Sequence, residues 1–167
     1  MKEMNSEYIL EAIDREFPEA ILDASETHGM LTIEIKKAEI KKVIHFLKVS
    51  SLNFHFLTDV CGIHYPDNKE KELGVIYHLH NMVENVRIRL KTFMPREGAE
   101  VESLVDLFAG ANWMERETYD FFGIKFTGHP DLRVILNMPD LGYHPLLKEY
   151  RLEDGTRTDK NDLMFGR

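Results

Sequence analysis

Cysteine is nearly absent: Cys61 is the only one in 167 residues. No internal disulfide can form, and no thiolate set could hold an iron–sulfur cluster unaided. The single thiol suits a reducing compartment, and it has no nucleophile-elbow motif around it, so it reads as a small buried hydrophobe. Positive charge is also scarce, with 21 Lys and Arg against 29 Asp and Glu and a formal net charge of −8. That balance argues against a nucleic-acid binder, which shows a basic face. No run approaches the eighteen apolar residues of a membrane span. The opening MKEMNSEYILEAIDREF has acids where a secretory leader has its apolar core. Any membrane association is therefore expected to go through a partner or an amphipathic surface. No GxGxxG or GxxxxGK[ST] is present to cradle a nucleotide, and no HExxH to hold zinc. Internal repeats and low-complexity tracts are lacking too.

What is there belongs to a globular chain. Hydrophobic residues make up 43% and charged residues 30%, a composition able to bury a core. Helical spacing of Ile9, Leu10, Ile13 and Phe17 predicts a helix over 7–17, capped by Ser6 and stopped by Pro18. A turn at Thr27-His28-Gly29 leads into MLTIEI, where Leu31, Ile33 and Ile35 alternate as on a half-buried strand. Ile40, Val43, Ile44 and Leu47 predict a second helix over 37–48. Phe54 and Phe56 suggest a short strand broken near Gly62, followed by the charged loop PDNKEKE. Leu73, Val75, Tyr77 and Leu79, then Val86, Ile88 and Leu90, mark two strands whose short connection makes an antiparallel hairpin. Arg87, Arg89 and Lys91 fall on its other face, toward water. Together these predict an α+β fold: a two-layer sandwich of helices on a mixed, largely antiparallel sheet. A short helix near 103–108 and a longer one over 112–122, ended by Gly123, complete a globular domain over 1–126. Residues 127–167 have prolines at 130, 139 and 145 and few large apolar residues near the end. They read as an extended, irregular, partner-binding C-terminal segment, whose last seventeen residues are either disordered or laid across another surface.

The run NWMERETYDFFGIKFTGHPDL, residues 112–132, is dense in acids, bases and aromatics. On a helix at about 100° per residue, Trp113, Met114, Glu117 and Phe121 share one arc, with Glu117 near its middle. A carboxylate among aromatics needs a partner, and Arg133 is the expected one. Two functions remain open from the residues. Glu117 and Asp120, at i and i+3, could serve as a general acid/base pair with His129 as proton shuttle in a small cofactorless enzyme. Alternatively they order a docking unit in an accessory subunit, and the proline-punctuated tail favours this. His78 and His80 share a strand face but have no third ligand, so they read as exposed strand histidines. His129 and His144 precede proline and read as turn residues.

Residues 115–136, ERETYDFFGIKFTGHPDLRVIL, resemble the signature of the thirty-kilodalton subunit family of respiratory complex I. Glu115, Arg116, Glu117, Asp120, Gly123, Ile124, Phe126, Gly128, His129, Pro130, Asp131, Leu132 and Arg133 fall on its pattern, and so do AGANWM upstream and, less closely, CGIHY. Farther on, His144, Pro145 and Lys148 match, while Val134, Leu141, Tyr143 and Leu147 depart from it. The resemblance implies a peripheral-arm subunit of a proton-pumping NADH:quinone oxidoreductase, with no catalytic, cofactor or metal site of its own. NAD(H), FMN, iron–sulfur clusters and quinone would sit in partners. Those partners would be a D-type subunit like the forty-nine-kilodalton one of complex I, the B- and I-type iron–sulfur subunits and the NADH module. The expected location is the cytoplasmic side of a bacterial inner membrane. Related domains in membrane-bound [NiFe] hydrogenases and ferredoxin-linked complexes give the alternative assembly.

Overall fold

The computed structural model describes residues 5–150. Its elements run α1 (Ser6–Glu16), β1 (Ile21–Thr27), β2 (Met30–Ile35), α2 (Ile40–Val49), β3 (Phe56–His64), β4 (Leu73–Asn81), β5 (Val86–Met94), β6 (Glu100–Glu102), α3 (Ala111–Phe122) and β7 (Lys125–Thr127). The five long strands form one sheet in the order β1-β2-β5-β4-β3. Only β2 and β5 are parallel there; the other three pairings are antiparallel. The mixed, largely antiparallel sheet expected from the alternating patterns is thus what forms.

One face of the sheet is apolar because the strands alternate. Leu31, Ile33 and Ile35 of β2, Val75, Tyr77 and Leu79 of β4, and Ile88 and Leu90 of β5 are all buried. Ile9 and Ile13 of α1 and Val43, Ile44 and Leu47 of α2 close over them, each almost wholly removed from water. Burying each such side chain contributes about 1.5–3 kcal/mol before conformational entropy is set against it. Among the described residues no α-helix lies on the opposite face. The single 3-10 turn Lys69–Lys71 reaches over one end of it, with Lys71 on Glu34 and against the Phe93 ring, and Ile76 and Phe93 interrupt its polar rows.

Several local expectations change. Asn5, not Ser6, caps α1: its Oδ1 accepts the Tyr8 N–H at 2.9 Å, while Ser6 Oγ donates to Glu26 at 2.8 Å. β3 does not break at Gly62 but runs through it to His64. Gly62 is there for space, since a Cβ would lie 2.4 Å from the Phe122 ring on α3. The helix expected over 103–108 shrinks to a single turn, closed by the Phe108 N–H on Leu104 O at 2.8 Å. Its residues instead orient backbone toward α3. The parallel pair β6–β7, three residues per strand, has too short a period to be read from sequence.

Candidate functional site

α3 occupies the centre of the site because two different layers press on it. Ala111, Glu115, Thr118 and Phe122 lie within about 60° on one side. This side faces the domain: Thr118 Oγ1 donates to Val60 O at 3.4 Å, and Phe122 covers Gly62. Asp120 sits about half a turn away, yet it too is buried. The chain after α3 does that burying.

Glu115 is the buried acid of the domain side. Its two oxygens accept Ser103 Oγ–H and Leu104 N–H, both at 2.7 Å. Burial nevertheless dominates and pushes the carboxyl up to about 7, the two hydrogen bonds pulling the other way. Tyr77 lies close enough to feel its charge. The phenol, fully buried and without a hydrogen-bond partner for its hydroxyl among the described residues, is held well above the usual tyrosine range.

Asp120 is the buried acid of the other side, and its surroundings give the opposite result. Oδ2 accepts the backbone N–H groups of Ile135, Leu136 and Asn137 at 3.0, 2.8 and 3.0 Å, and Oδ1 accepts Asn137 Nδ2–H at 2.9 Å. Burial works against the charge, but four donors outweigh it and hold the carboxyl down at about 2. Arg116 continues the same side, donating to Arg133 O and Val134 O at 3.1 Å each.

The path that brings 135–137 to Asp120 begins at the end of α3. Gly123 adopts a left-handed φ of 77° and returns its N–H to Tyr119 O. After β7 and Gly128, His129 uses both ring nitrogens: Nε2–H donates to Asn112 O at 3.1 Å and Nδ1 accepts Asp131 N–H at 3.0 Å. Farther along, His144 Nδ1–H donates to Asp120 O at 2.9 Å, and its ring lies against Gly123. Lys148 N–H then donates to Nδ1 of the buried His64 at 2.8 Å. Nε2 of that ring faces Glu72 at 3.2 Å. Arg96 and Glu149 close the end with a two-pronged pair at 2.6 and 2.8 Å. The described part of the C-terminal segment is thus a strap bonded to its own domain; residues 151–167 lie outside the described residues.

Of the residues singled out by sequence, Glu115, Arg116, Asp120, Gly123, His129 and His144 converge on α3 and the strap. Lys148 joins through its backbone, and Pro145 fixes the chain after His144. Gly128 and Pro130 form an exposed turn. Arg133 pairs with Asp131 at 2.8 Å, not with Glu117. Glu117 is exposed, as is Trp113 at 57%. The arc of Trp113, Glu117 and Phe121 therefore faces outward, and a helical wheel that takes aromatic content to mark the buried side points the wrong way. Ser103, Asn137, His64 and Glu72 escape a reading of the sequence. Only His64 has a signal there, its place in CGIHY.

The geometry bears on chemistry. Glu117 is open to solvent while Asp120 is enclosed by amide donors, so the two do not form an acid/base pair around a common substrate. A cleft of about 210 Å³ between β3 and α3 is lined by Asp59, Cys61, Glu117, Phe121 and Leu146. Burial and the neighbouring Asp59 push the Cys61 thiol up to about 11, leaving it a poor nucleophile. His78 and His80 are not exposed strand histidines. His80 is buried with Nε2 on Asn85 Oδ1 at 3.1 Å, and half-buried His78 accepts Arg89 Nε–H at 2.9 Å. Among the described residues no three His, Cys, Asp or Glu side chains group to hold a metal ion.

Residues 33–156 match the family model described as the respiratory-chain NADH dehydrogenase 30 Kd subunit. The C subunit of the NADH-quinone oxidoreductase of Xanthobacter autotrophicus is 46% identical over 132 residues; the match covers 78% of this chain and 62% of the relative. This chain thus spans less than two thirds of that relative's length. The C subunit of the F(420)H(2) dehydrogenase of Methanosarcina mazei is 39% identical over 150 residues, covering 88% and 92%. Among solved structures, a trypsin-resistant fragment of Nqo5 superposes with a TM-score of 0.65 at 29% identity, covering 75% of this chain and 98% of that one.

Proposed function

The chain belongs to the respiratory-chain NADH dehydrogenase 30 Kd subunit family, and from that premise we propose that it acts as a non-catalytic peripheral-arm subunit of a quinone-reducing complex. One observation supports the scaffold role above all. The signature carboxylates Glu115 and Asp120 bind groups of this chain, while the outer side of α3 and the strap exposes Trp113, Leu136 and Met138 at 57, 65 and 66%. Large apolar side chains left exposed on one unit point to an interface, and tryptophan is prominent among residues that anchor one. Glu115, Arg116, Asp120, Gly123, His129, His144 and Pro145 order that unit. Glu117, Gly128, Pro130, Arg133 and Lys148 lie on its surface, where a partner can reach them.

On this reading, residues 1–126 form the platform and residues 127–167 the partner-binding segment, of which 127–150 hold to the platform through their inner side. The partners are the D-type subunit, the iron–sulfur subunits beside it and the NADH module, which hold the NAD(H), FMN, iron–sulfur and quinone sites. Among the described residues no helix is long and apolar enough to cross a membrane, and attachment to the cytoplasmic face of a bacterial inner membrane would go through partners. The relatives include subunits named for NADH and for F(420)H(2), so the electron donor is set by another subunit.

The test is to tag the chain in its host, solubilise membranes gently and identify stoichiometric partners by mass spectrometry. Co-purification with a D-type subunit and NADH-module proteins is expected. Recovery with nickel-hydrogenase subunits would move the chain to the sister assembly. A reproducible lone monomer would overturn the proposal.

A further inference from the structure

The face of the sheet that no α-helix covers among the described residues has an order of its own. β5 is its central strand, and every second residue points to this face. Arg87, Arg89, Lys91 and Phe93 form that row, opposite His80, His78, Ile76 and Gly74 of β4. Three cations thus stand at intervals of about 7 Å along the middle of the open face. Arg89 is held by His78. For Arg87 and Lys91 there is no carboxylate within ion-pair distance among the described residues; Lys91 rests near the Phe93 ring, 5.9 Å from its centroid.

The row ends on an aromatic platform. Phe93 lies flat across Gly74, where a Cβ would come within 2.6 Å of its ring. Tyr65, 48% exposed, meets it at 5.9 Å between centroids, tilted by 45°. Lys71 flanks the same ring at 5.8 Å. An apolar anchor point therefore adjoins a basic ladder, on a chain whose overall charge is −8.

We propose that the open sheet face is a second docking surface, which takes an extended acidic segment of a neighbouring subunit along β5. An apolar side chain of that segment sits on Tyr65 and Phe93, and its carboxylates, two residues apart, meet Lys91, Arg89 and Arg87. The period of the ladder matches that of an extended chain. The borders of the ladder decide between a peptide and a polyphosphate. Asp59 lies beside His78 on one side, and Glu34, the register partner of Lys91 on β2 and paired with Lys71, lies with Asp23 on the other. Those acids would repel a broad phosphate backbone, whereas single carboxylates can address one cation each. The row runs the nine residues of β5, about 30 Å, the length of an extended segment of about nine residues laid along it.

This inference rests on the subunit reading, and the experiment separates the two. A photo-cross-linking residue is placed at position 87, 91 or 113 of the full chain in its host, and the assembly is irradiated and digested. Cross-links from 87 and 91 to a peptide rich in Asp and Glu are expected. So is release of Arg87→Glu/Lys91→Glu from the assembly at lower salt, with affinity reduced about tenfold or more. Cross-links from 113 without any from 87 or 91 would overturn this inference and leave the subunit reading standing. No cross-links from any position would overturn both. Binding of the purified chain to duplex oligonucleotide or phosphatidylglycerol vesicles, lost in the double variant, would replace the acidic peptide by a phosphate surface and overturn the proposal.

Discussion

Asp120 and Asn137 are joined twice: the Asn137 backbone N–H donates to Oδ2 at 3.0 Å and its Nδ2–H to Oδ1 at 2.9 Å. With Ile135 and Leu136 adding two more donors to Oδ2, one side chain of α3 fixes three consecutive residues of the strap. Asp120→Ala is expected to cost about 2–4 kcal/mol, because it strands backbone donors out of water. Urea denaturation of the two proteins checks the figure.

The same carboxylate sets an acid limit. Its folded value of about 2 lies below the ordinary 3.8. A depressed acid contributes stability in full above its unfolded value, and that contribution fades as pH falls from about 4 through about 2. Asp120→Asn should flatten the stability profile in this window. An unchanged acid limb in the variant would show that other groups govern it.

Glu115 acts in the reverse sense. Its folded value of about 7 stands above the ordinary 4.5, so the folded state holds a proton that the unfolded state has lost between these values. Stability therefore declines as pH rises from about 4.5 to about 7. Glu115→Gln keeps a polar group opposite Ser103 and Leu104 and should remove most of that slope. Denaturation midpoints across the interval read it directly.

His64 secures the far end of the strap, with Lys148 N–H on one nitrogen and Glu72 on the other. His64→Leu removes both bonds at once. The strap should open more often, and trypsin should cut after Arg133 or Lys148 about tenfold faster, while the sheet core stays intact. Equal cleavage rates would mean that Arg96 and Glu149 hold the end alone.

Two glycines with similar dihedral angles should respond differently to alanine. At Gly128, φ is 81° and a Cβ meets nothing within 4 Å, so only the left-handed strain of about 1 kcal/mol is added. At Gly123 the Cβ would come 2.6 Å from the His144 ring. Gly123→Ala should therefore be destabilised well beyond Gly128→Ala in a thermal melt.

Regular elements were legible in the sequence because their residues repeat at 2 or 3.6. The alternation in MLTIEI and in residues 73–90, and the Ile40–Leu47 spacing, gave the sheet faces and the helix that covers them. Gly123 announced the end of α3 for a local reason, the left-handed backbone it alone adopts easily. The motif in residues 115–136 also gave the family, since its residue types and spacing are a local property of the chain. Which carboxylate was buried could not be read in this way. Glu115 and Asp120 lie on opposite sides of one helix, and each is buried by chain remote from it. Ser103 and Leu104 reach Glu115 from one direction, the backbone of 135–137 reaches Asp120 from the other, and Glu117 is left outside. A helix wheel sees one stripe and one core; α3 has two buried sides. Burial of a polar group depends on the donors that the rest of the chain delivers, and amide donors have no sequence signature. Periodicity and motif thus determined the layers and the family, and only the tertiary structure decided which acids hold the strap and which face remains for a partner.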